Sequence, residues 1–342
     1  MRGPALLRTF HGGAGNDKIL IGQRVSPSRG KILIIRGGAI GDFILTLPAI
    51  AAVRQHFPDA FLEVLGYPHI AQLALVGGLV NRVESIGARA LAGFFARGGE
   101  LAEELVDYFS EFDLIISYLY DPDQIFSTNV GRCTRAQFIP GPHRPKEDAT
   151  VHATQVYLKP LERLAIFDAD PVPRLKMKGD APALNVFFRG VEGQGTSPTL
   201  AMHPGSGSER KNWPEEKWAE LLQHLINGTG YNLLLVGGEA EGERLQRLAA
   251  ATPPGRVRVA QSRPLSELAV LLQNCSLFVG HDSGISHLAA AVGLPGLVLW
   301  GETVAEIWRP PSDKMVLLHH SAGLVELPVS DVFDRIRLLP VP

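Results

Sequence analysis

The chain has 342 residues, of which 45% are hydrophobic, and its formal net charge is -2. That length is enough for about two domains, and the near balance of charge gives no general electrostatic attraction for nucleic acid. The cysteines Cys133 and Cys275 belong to no CxxC pair. They indicate neither a disulfide framework nor a metal knuckle, and they are typical of a reducing cytoplasm. The sequence has no run of about 18 uncharged apolar residues, so we expect no membrane span.

Residues 1–30 carry Gly, Pro, Arg and Ser without a steady periodicity. They lack the apolar region of about 7–15 residues that a signal peptide requires. We therefore expect residues 1–30 to be a poorly ordered N-terminal extension.

The first regular unit is predicted in "KILIIRGGAIGDFILTLPAIAAVRQHFPDAFLEVLG". Lys31–Arg36 is a continuous apolar run, rich in Ile, which suits a strand buried on both faces. "GGAIGD" predicts a turn, and the residues after it predict a helix that runs to about His56. "FLEVLG" then predicts a second strand, so the unit is a strand–helix–strand block of a parallel sheet.

The first half continues with a helix in "LAGFFARGGELAEELVDYFSEF" and a strand in "DLIISYLY". A further helix is expected near residues 152–164. The stretch "PVPRLKMKGDAPA", rich in Pro, Lys and Gly, is the candidate linker to a second half.

The second half repeats the alternation of strands and helices. "TLAMHPGSG" predicts a strand that ends in a Gly/Ser turn, and "PEEKWAELLQHLING" predicts a helix with Pro214 in its first turn. "YNLLLVGGEAEGERLQRLAAA" predicts a strand, a turn and a helix. "LSELAVLLQNC" predicts a helix that Ser266 would cap. "SLFVGHDSGISHLAAAVGLPGLVLWG" and the amphipathic helix "VSDVFDRIRLL" complete the pattern.

These patterns predict an α/β protein of two Rossmann-like domains that face each other across a cleft. We expect an N-terminal domain over residues 31–180, a C-terminal domain over 181–325 and a final helix over 326–342. Ligands of such sheets bind at the carboxyl ends of the strands. The polar turns lie at these ends and are therefore the candidate site.

The turn "HPGSGSERK" is a candidate phosphate loop. Gly205 and Gly207 allow close approach of the backbone, Ser206 and Ser208 supply hydroxyl groups, and Lys211 supplies a positive charge. The spacing is not that of a P-loop. A plain Gly/Ser turn before a helix, with a solvated lysine, explains the same residues.

The turn "GGEAE" offers Glu239 and Glu241 as acceptors for ribose hydroxyls. The alternative is a charged first turn of a helix, which the helix dipole favours.

The helix predicted to begin near Ser283 would aim its free N–H groups at the cleft as an anion site. His287, one turn into this apolar helix, could donate to a phosphate oxygen or be a core histidine. Asp282 could simply be the N-cap, and Gly284 allows the backbone to approach a ligand.

Asp42 follows Gly41 at the end of the first strand. A carboxylate that faces an anion site across a cleft can act as a general base, although a first-turn acid of a helix needs no such function. Arg36 and the backbone at Gly38 and Gly41 are expected to position the acceptor substrate.

No cluster with metal-ligand spacing is evident, apart from the weak candidate "DPD" at residues 121–123, for which a loop at the end of a strand is the alternative. We therefore expect no metal.

Four segments together resemble glycosyltransferase family 9, the ADP-heptose:lipopolysaccharide heptosyltransferases. They are "ILIIRGGAIGDFILTLPAIAAVRQHFP", "HPGSGSERKNWPEEKWAELL", "LLLVGGEAE" and "GHDSGISHLAAAVGLPGLVLWGET". The resemblance runs from about residue 31 to the end of the chain. Family members usually begin near the first strand, whereas residues 1–30 precede it here.

The resemblance implies a GT-B fold with a final helix that packs back on the N-terminal domain. It implies an inverting transfer that needs no metal or other cofactor, with ADP-heptose as co-substrate and a lipopolysaccharide core or related glycan as acceptor. Asp42 matches the family's base. The residues that match its donor site are Ser206, Gly207, Ser208, Lys211, Glu239, Glu241, Asp282, Ser283, Gly284 and His287.

Such an acceptor would place the protein in the cytoplasm with peripheral contact at the inner membrane. The basic residues of the N-terminal half that could meet an anionic lipid are Arg54, Arg82, Arg89, Arg97, Arg132, Arg135, Arg144 and Lys146. Ordinary solvated surface is the alternative for them. For the whole chain, the alternatives are a non-catalytic nucleotide-sugar binding protein and a nucleotide-sugar epimerase of the same fold.

Overall fold

A computed structural model describes residues 30–87, 89–148, 150–178, 197–208, 211–253 and 255–340. Within these residues the strands form two parallel sheets, one in each half of the chain. The expected N-terminal extension, as far as residue 29, lies outside the described residues. Residues 179–183 of the candidate linker lie outside them as well.

The first sheet has the strand order β3-β2-β1-β4-β5. Its strands are β1 (Lys31–Arg36), β2 (Phe61–Gly66), β3 (Arg82–Ser85), β4 (Leu114–Ser117) and β5 (Gln137–Pro140). The α-helices of this half are α1 (Ile40–His56), α2 (Pro68–Val76), α3 (Glu103–Ser110), α4 (Ile125–Gly131) and α5 (Ala153–Leu158). The central strand β1 is buried on both faces, as its apolar run predicts.

The second sheet has the order β11-β10-β9-β6-β7-β8. Its strands are β6 (Thr199–His203), β7 (Asn232–Gly237), β8 (Val257–Gln261), β9 (Leu277–His281), β10 (Gly296–Leu299) and β11 (Met315–Leu318). Its helices are α6 (Glu215–Gly228), α7 (Gly242–Ala250), α8 (Leu265–Gln273), α9 (Gly284–Ala291), α10 (Ala305–Trp308) and α11 (Val329–Leu338). Both sheets show the mixed α/β architecture of two facing Rossmann-like units.

The two halves share one hydrophobic core. Helix α1 packs against α9, and α2 packs against α8. Side chains of both sheets, such as Ile34 and Phe278, therefore belong to one buried cluster. The start of the candidate linker joins this contact, because the backbone N–H of Leu175 donates to the carbonyl oxygen of Ala291. The carboxyl ends of β1 and β9 consequently face each other.

Several predicted helices differ in detail from the observed ones. The predicted helix over residues 91–112 is a 3-10 helix (Arg89–Phe95) and then α3, because Gly98 at a positive φ and Gly99 interrupt it. The helix near residues 152–164 is α5 followed by a 3-10 helix (Lys159–Leu164). The cap position of α8 is Pro264 and not Ser266, which lies inside the helix.

The C-terminal helix α11 packs on the second half of the chain. Its buried residues Val332 and Ile336 join the cluster on the outer face of the second sheet, and the helix contacts α6 and β10. The expected packing on the N-terminal domain is therefore wrong, since the apolar stripe of α11 is already covered by α6 and β10. None of the described helices is both long enough and apolar enough to cross a bilayer.

Candidate functional site

A cleft of about 840 Å³ lies between the carboxyl ends of the two sheets. Both halves contribute to its wall. The predicted site residues that line it are Arg36, Gly38, Gly41, Asp42, Ser206, Lys211, Asp282, Ser283, Gly284 and His287. The fold thus brings together residues that are up to 251 positions apart (287 − 36) in the sequence.

Asp42 lies in the first turn of α1 with its carboxylate at the cleft. Its Oδ2 accepts a hydrogen bond of 3.1 Å from the backbone N–H of Ala39, and its Oδ1 lies 3.7 Å from Nη2 of Arg36. Its side chain remains 30% exposed. Gly38 completes the turn at φ 103°, and a Cβ there would lie 3.0 Å from Asp42 Oδ2. Asp42 is therefore an acid of the first helical turn, and the same side chain lines the cleft.

Arg36 is a buried cation that orders this turn. Its guanidinium donates to the carbonyl oxygens of His143 (2.8 Å) and Asp42 (3.2 Å) and lies 4.6 Å from the centroid of the Tyr157 ring. Its side chain is only 2% exposed. Arg36 thus contributes to the cleft mainly by holding the backbone of Asp42 in place.

The opposite wall is the N-terminus of α9. Ser283 is the N-cap, and its hydroxyl accepts from the backbone N–H of Ser286. The interpretation of Asp282 as the cap is therefore wrong. Because Ser283 performs that task, Asp282 instead forms an ion pair of 2.7 Å with Nζ of Lys211. This pair holds the lysine of the candidate phosphate loop beside the helix N-terminus.

The N-termini of α1 and α9 meet at two glycines. A Cβ on Gly284 would lie 2.7 Å from Cβ of Ile40 and 3.1 Å from the backbone N of Gly41. A Cβ on Gly41 would lie 3.3 Å from Cδ2 of His287. Glycine at these positions allows the two helix starts to approach so closely, and both starts line the cleft.

His287 lines the cleft and is 6% exposed. Burial lowers its pKa to about 4, so the imidazole is neutral near pH 7. Its Nδ1 is buried without a hydrogen-bond partner among the described residues. A buried polar atom without a hydrogen-bond partner costs free energy. A ligand in the cleft that forms a hydrogen bond with Nδ1 would remove this cost.

A second buried histidine, His281, holds the candidate phosphate loop at both ends. Its Nε2 accepts from the backbone N–H of Trp213 at 2.8 Å, so its Nδ1 carries the proton and donates to the carbonyl oxygen of Gly205 at 3.2 Å. Burial lowers its pKa to about 3, which keeps the neutral tautomer that this arrangement requires. Sequence reasoning missed this residue; a histidine that ends a buried strand was the available signal.

The loop itself is ordered by Ser206. Its hydroxyl lies 2.8 Å from the carbonyl oxygen of Ser208 and 2.7 Å from Oδ1 of Asn212. Gly207 adopts φ 73°. Gly207 and Ser208 do not line the cleft.

The two predicted ribose acids are also absent from the wall of the cleft. Glu239 is exposed. Glu241 is buried, its Oε2 accepts from the backbone N–H of Gly238 at 2.9 Å, and it packs so closely on Gly205 that a Cβ there would lie 2.2 Å from its Cγ. Glu241 therefore supports the phosphate loop from behind.

The "DPD" segment has a structural explanation. The two carboxylate oxygens of Asp121 accept from the backbone N–H groups of Phe126 (3.0 Å) and Ser127 (2.9 Å). This interaction satisfies the first N–H groups of α4. Among the described residues no group of three or more His, Cys, Asp and Glu side chains is arranged to hold a metal ion.

Other residues of the cleft were not predicted as site residues. They include Tyr67, Tyr118, His143, Arg144, Thr303 and Trp308. Tyr67 follows the end of β2, and Thr303 and Trp308 follow β10, so the rule that ligands bind beyond the carboxyl ends of strands could have found them. His143 and Arg144 lie in an irregular segment without such a signal.

Comparison with known proteins finds a family model that matches the second half of the chain. The sequence model of glycosyltransferase family 9 (heptosyltransferase) matches residues 168–325. Lipopolysaccharide heptosyltransferase 3 of Escherichia coli is 23% identical over 320 residues, which cover 86% of this chain and 90% of that protein.

Solved structures show the same fold. A family 9 glycosyltransferase from Veillonella parvula matches with a TM-score of 0.75 at 18% identity, over 91% of this chain and 97% of that one. The E. coli heptosyltransferase WaaC, solved with ADP, matches with a TM-score of 0.67 at 20% identity, over 91% of this chain and 100% of that one. With its two facing Rossmann-like units, the chain has a GT-B fold, and it is a glycosyltransferase whose residues 168–325 match the model of glycosyltransferase family 9.

Proposed function

We propose that this glycosyltransferase moves heptose from ADP-heptose to a lipopolysaccharide core or a related glycan, with inversion at the anomeric carbon and without a metal ion. The relatives named as lipopolysaccharide heptosyltransferases support the sugar and the acceptor class. The similar structure of the E. coli heptosyltransferase WaaC, which was solved with ADP, supports the nucleotide.

One observation carries the proposal. Asp42 lies on one wall of the cleft, and Lys211 with the N-terminus of α9 lies on the other. A transfer reaction needs a base at the acceptor and positive potential at the leaving group. The presence of one candidate for each task in the same cleft supports the proposal.

In the proposed reaction Asp42 accepts the proton of an acceptor hydroxyl. The hydroxyl oxygen forms the new bond to the anomeric carbon, and the bond from that carbon to the diphosphate oxygen breaks on the opposite face. The electron pair of the broken bond leaves with ADP. This geometry inverts the configuration of the sugar.

When the diphosphate leaves, Lys211 is proposed to exchange its ion pair with Asp282 for an ion pair with the diphosphate. The N–H groups at the start of α9 and the neutral imidazole of His287 add uncharged donors. Donors that are fixed in advance stabilise developing charge without reorganisation, so they can replace a metal ion. The expected contact of Glu241 with ribose, with Glu239 as the alternative, stays a prediction, since neither side chain lines the cleft.

We also propose a cytoplasmic location with peripheral contact at the inner membrane, where an acceptor of this class is assembled. The basic residues of the N-terminal half support such contact, since each adds about 1 kcal/mol of attraction to an anionic surface.

The test is a transfer assay with ADP-heptose and a soluble core saccharide in the presence of EDTA. The expected product is a glycoside whose anomeric configuration, read by NMR coupling constants, is opposite to that of the donor. A product of retained configuration would contradict the inverting mechanism. Activity that returns only with added Mg²⁺ would contradict metal independence, and epimerised or hydrolysed donor without transfer would contradict the function.

A further inference from the structure

A second large cavity lies beside the cleft, in the first half of the chain. It has a volume of about 1370 Å³, which exceeds the about 300–1,000 Å³ that is usual for small-molecule sites. Its walls are the segment 140–146, Val151, α5, the 3-10 helix Lys159–Leu164 and the segment 166–171. We call this cavity the α5 groove.

Apolar side chains form most of the α5 groove and remain open to water. Phe167 is 68% exposed and Val151 is 42% exposed. Leu158 and Ile166 line the same surface and are half-buried. A single exposed apolar residue is ordinary, but several that share one concave surface indicate a site that something apolar covers.

Basic side chains surround this apolar surface. Those that line the groove are Arg144, Lys146, Lys159 and Arg163, against the acidic residues Glu162 and Asp168. Lys159 pairs with Glu162 at 2.8 Å. In the part of the chain that the structure describes, Lys146 and Arg163 have no ion-pair partner, so their charge is available to an anion at the rim.

The α5 groove adjoins the cleft. His143 and Arg144 line both cavities. The guanidinium of Arg144 lies 5.1 Å from the ring centroid of Trp308, a residue of the cleft, and the backbone oxygen of His143 accepts from Arg36. A molecule in the groove would therefore lie next to the cleft.

We propose that the α5 groove binds the hydrocarbon chain of an anionic amphiphile, namely the lipid part of the glycosyl acceptor. The inference rests on the proposed function for the identity of the occupant. A sugar would bury little of the apolar wall, whereas an alkyl or acyl chain would cover it. A phosphate or carboxylate near the chain matches Lys146 and Arg163. The acceptor's saccharide would then extend past His143 to Asp42.

The first experiment measures binding of hexyl, octyl and decyl phosphate to the full chain by calorimetry, below their critical micelle concentrations. Burial of the chain predicts an affinity gain of about fourfold per added methylene. Decyl maltoside, which has a neutral headgroup, should bind at least tenfold more weakly than decyl phosphate. Inorganic phosphate should not compete with decyl phosphate for the groove. An affinity that is independent of chain length overturns the proposal.

Two exposed substitutions test the residues. Phe167→Asp should weaken decyl phosphate binding by more than tenfold, and Arg163→Glu should weaken decyl phosphate but not decyl maltoside. The matched controls Leu338→Asp and Arg335→Glu change exposed residues of α11, far from the groove. Thermal melting by circular dichroism verifies that each variant is folded. Equal binding by Phe167→Asp and Leu338→Asp overturns the proposal.

The transfer assay links the groove to the acceptor. The wild-type protein should show a lower KM for a chain-bearing acceptor than for its chain-free saccharide, and Phe167→Asp should lose this preference. Binding of anionic vesicles without binding of monomeric decyl phosphate would overturn the groove in favour of a surface contact. If neither acceptor is glycosylated, the proposed function fails, while the calorimetry still tests the groove.

Discussion

At the scale of single residues, two aspartates with similar sequence settings have different tasks. Asp42 and Asp282 each follow a strand and precede or begin a helix. Asp42 binds the backbone N–H of Ala39 within its own turn, whereas Asp282 reaches across to Lys211. The hydroxyl of Ser283 explains the difference, because it caps α9 and leaves Asp282 free for the ion pair.

Asp42→Asn should lower kcat by about 10²–10⁴-fold, since the amide cannot accept the proton. The amide oxygen can still accept from Ala39, so the turn should persist and the Kd for ADP should change little. Steady-state kinetics and calorimetry measure the two effects. Asp59→Asn, in an exposed turn after α1, is the control. Near-normal turnover in Asp42→Asn would exclude this residue as the base.

Lys211→Ala should raise the Kd for ADP by about 10–100-fold, because a charged hydrogen bond to phosphate contributes about 1.5–3 kcal/mol. It also leaves the buried carboxylate of Asp282 facing the site. Lys176→Ala, which removes an exposed lysine, should leave the Kd unchanged. An equal Kd for ADP in the two variants would remove Lys211 from the donor site.

At the scale of elements, the site depends on two helices that meet at their N-termini. Helix α1 comes from the first half and α9 from the second, and Gly284 and Gly41 lie at their contact. The apolar sequence of α9 explains why this end is rigid, since all but its first residue are buried. Each helix alone would offer one weak anion site, and the contact places two at one cleft.

Gly284→Ala should force these helix starts apart. The new Cβ would lie 2.7 Å from Cβ of Ile40, and overpacking of this kind lowers the free energy of unfolding by about 1–3 kcal/mol. The melting temperature and the affinity for ADP should both fall. Gly230→Ala is the matched control, because a Cβ there meets nothing within 4 Å. If the two alanine variants melt at the same temperature, the close contact is not essential.

At the scale of the whole molecule, buried neutral histidines couple stability to pH. Burial lowers the pKa of His203, and it lowers the pKa of His281 to about 3 and of His287 to about 4. Below the ordinary value of 6.5 the unfolded chain binds protons that the folded chain does not. The stability that these histidines contribute is therefore complete above pH 6.5 and is lost as the pH falls toward their folded values.

The free energy of unfolding should thus decrease by up to about 1.4 kcal/mol per pH unit for each of these histidines between pH 6.5 and 5. Denaturant titrations at several pH values measure this slope. His287→Gln removes one titrating group and should make the slope shallower. His56→Gln, which replaces an exposed imidazole, is the control. A slope that is the same for His287→Gln and wild type would contradict the buried neutral state.

Much of the fold was predictable because parallel strands leave a strong pattern. The apolar runs of β1, β6, β7 and β9 predict strands buried on both faces, and the polar turns after them locate the cleft. The break of the long predicted helix at Gly98, the start of α8 after Pro264 and the packing of α11 were not predicted. Local propensity cannot decide these features when neighbouring elements compete for the same surface.

The sequence by itself determined the alternation of strands and helices, the family resemblance and ten of the residues that line the cleft. These depend on local patterns and on residue types, which are readable along the chain. Only the tertiary structure decided that Asp282 pairs with Lys211 and that His281 forms hydrogen bonds to the phosphate loop. It also decided that Glu241 packs against Gly205 on the side of the loop away from the cleft. Those contacts join strand ends that are distant in sequence, so they are fixed by how the two sheets and the helices α1 and α9 pack together.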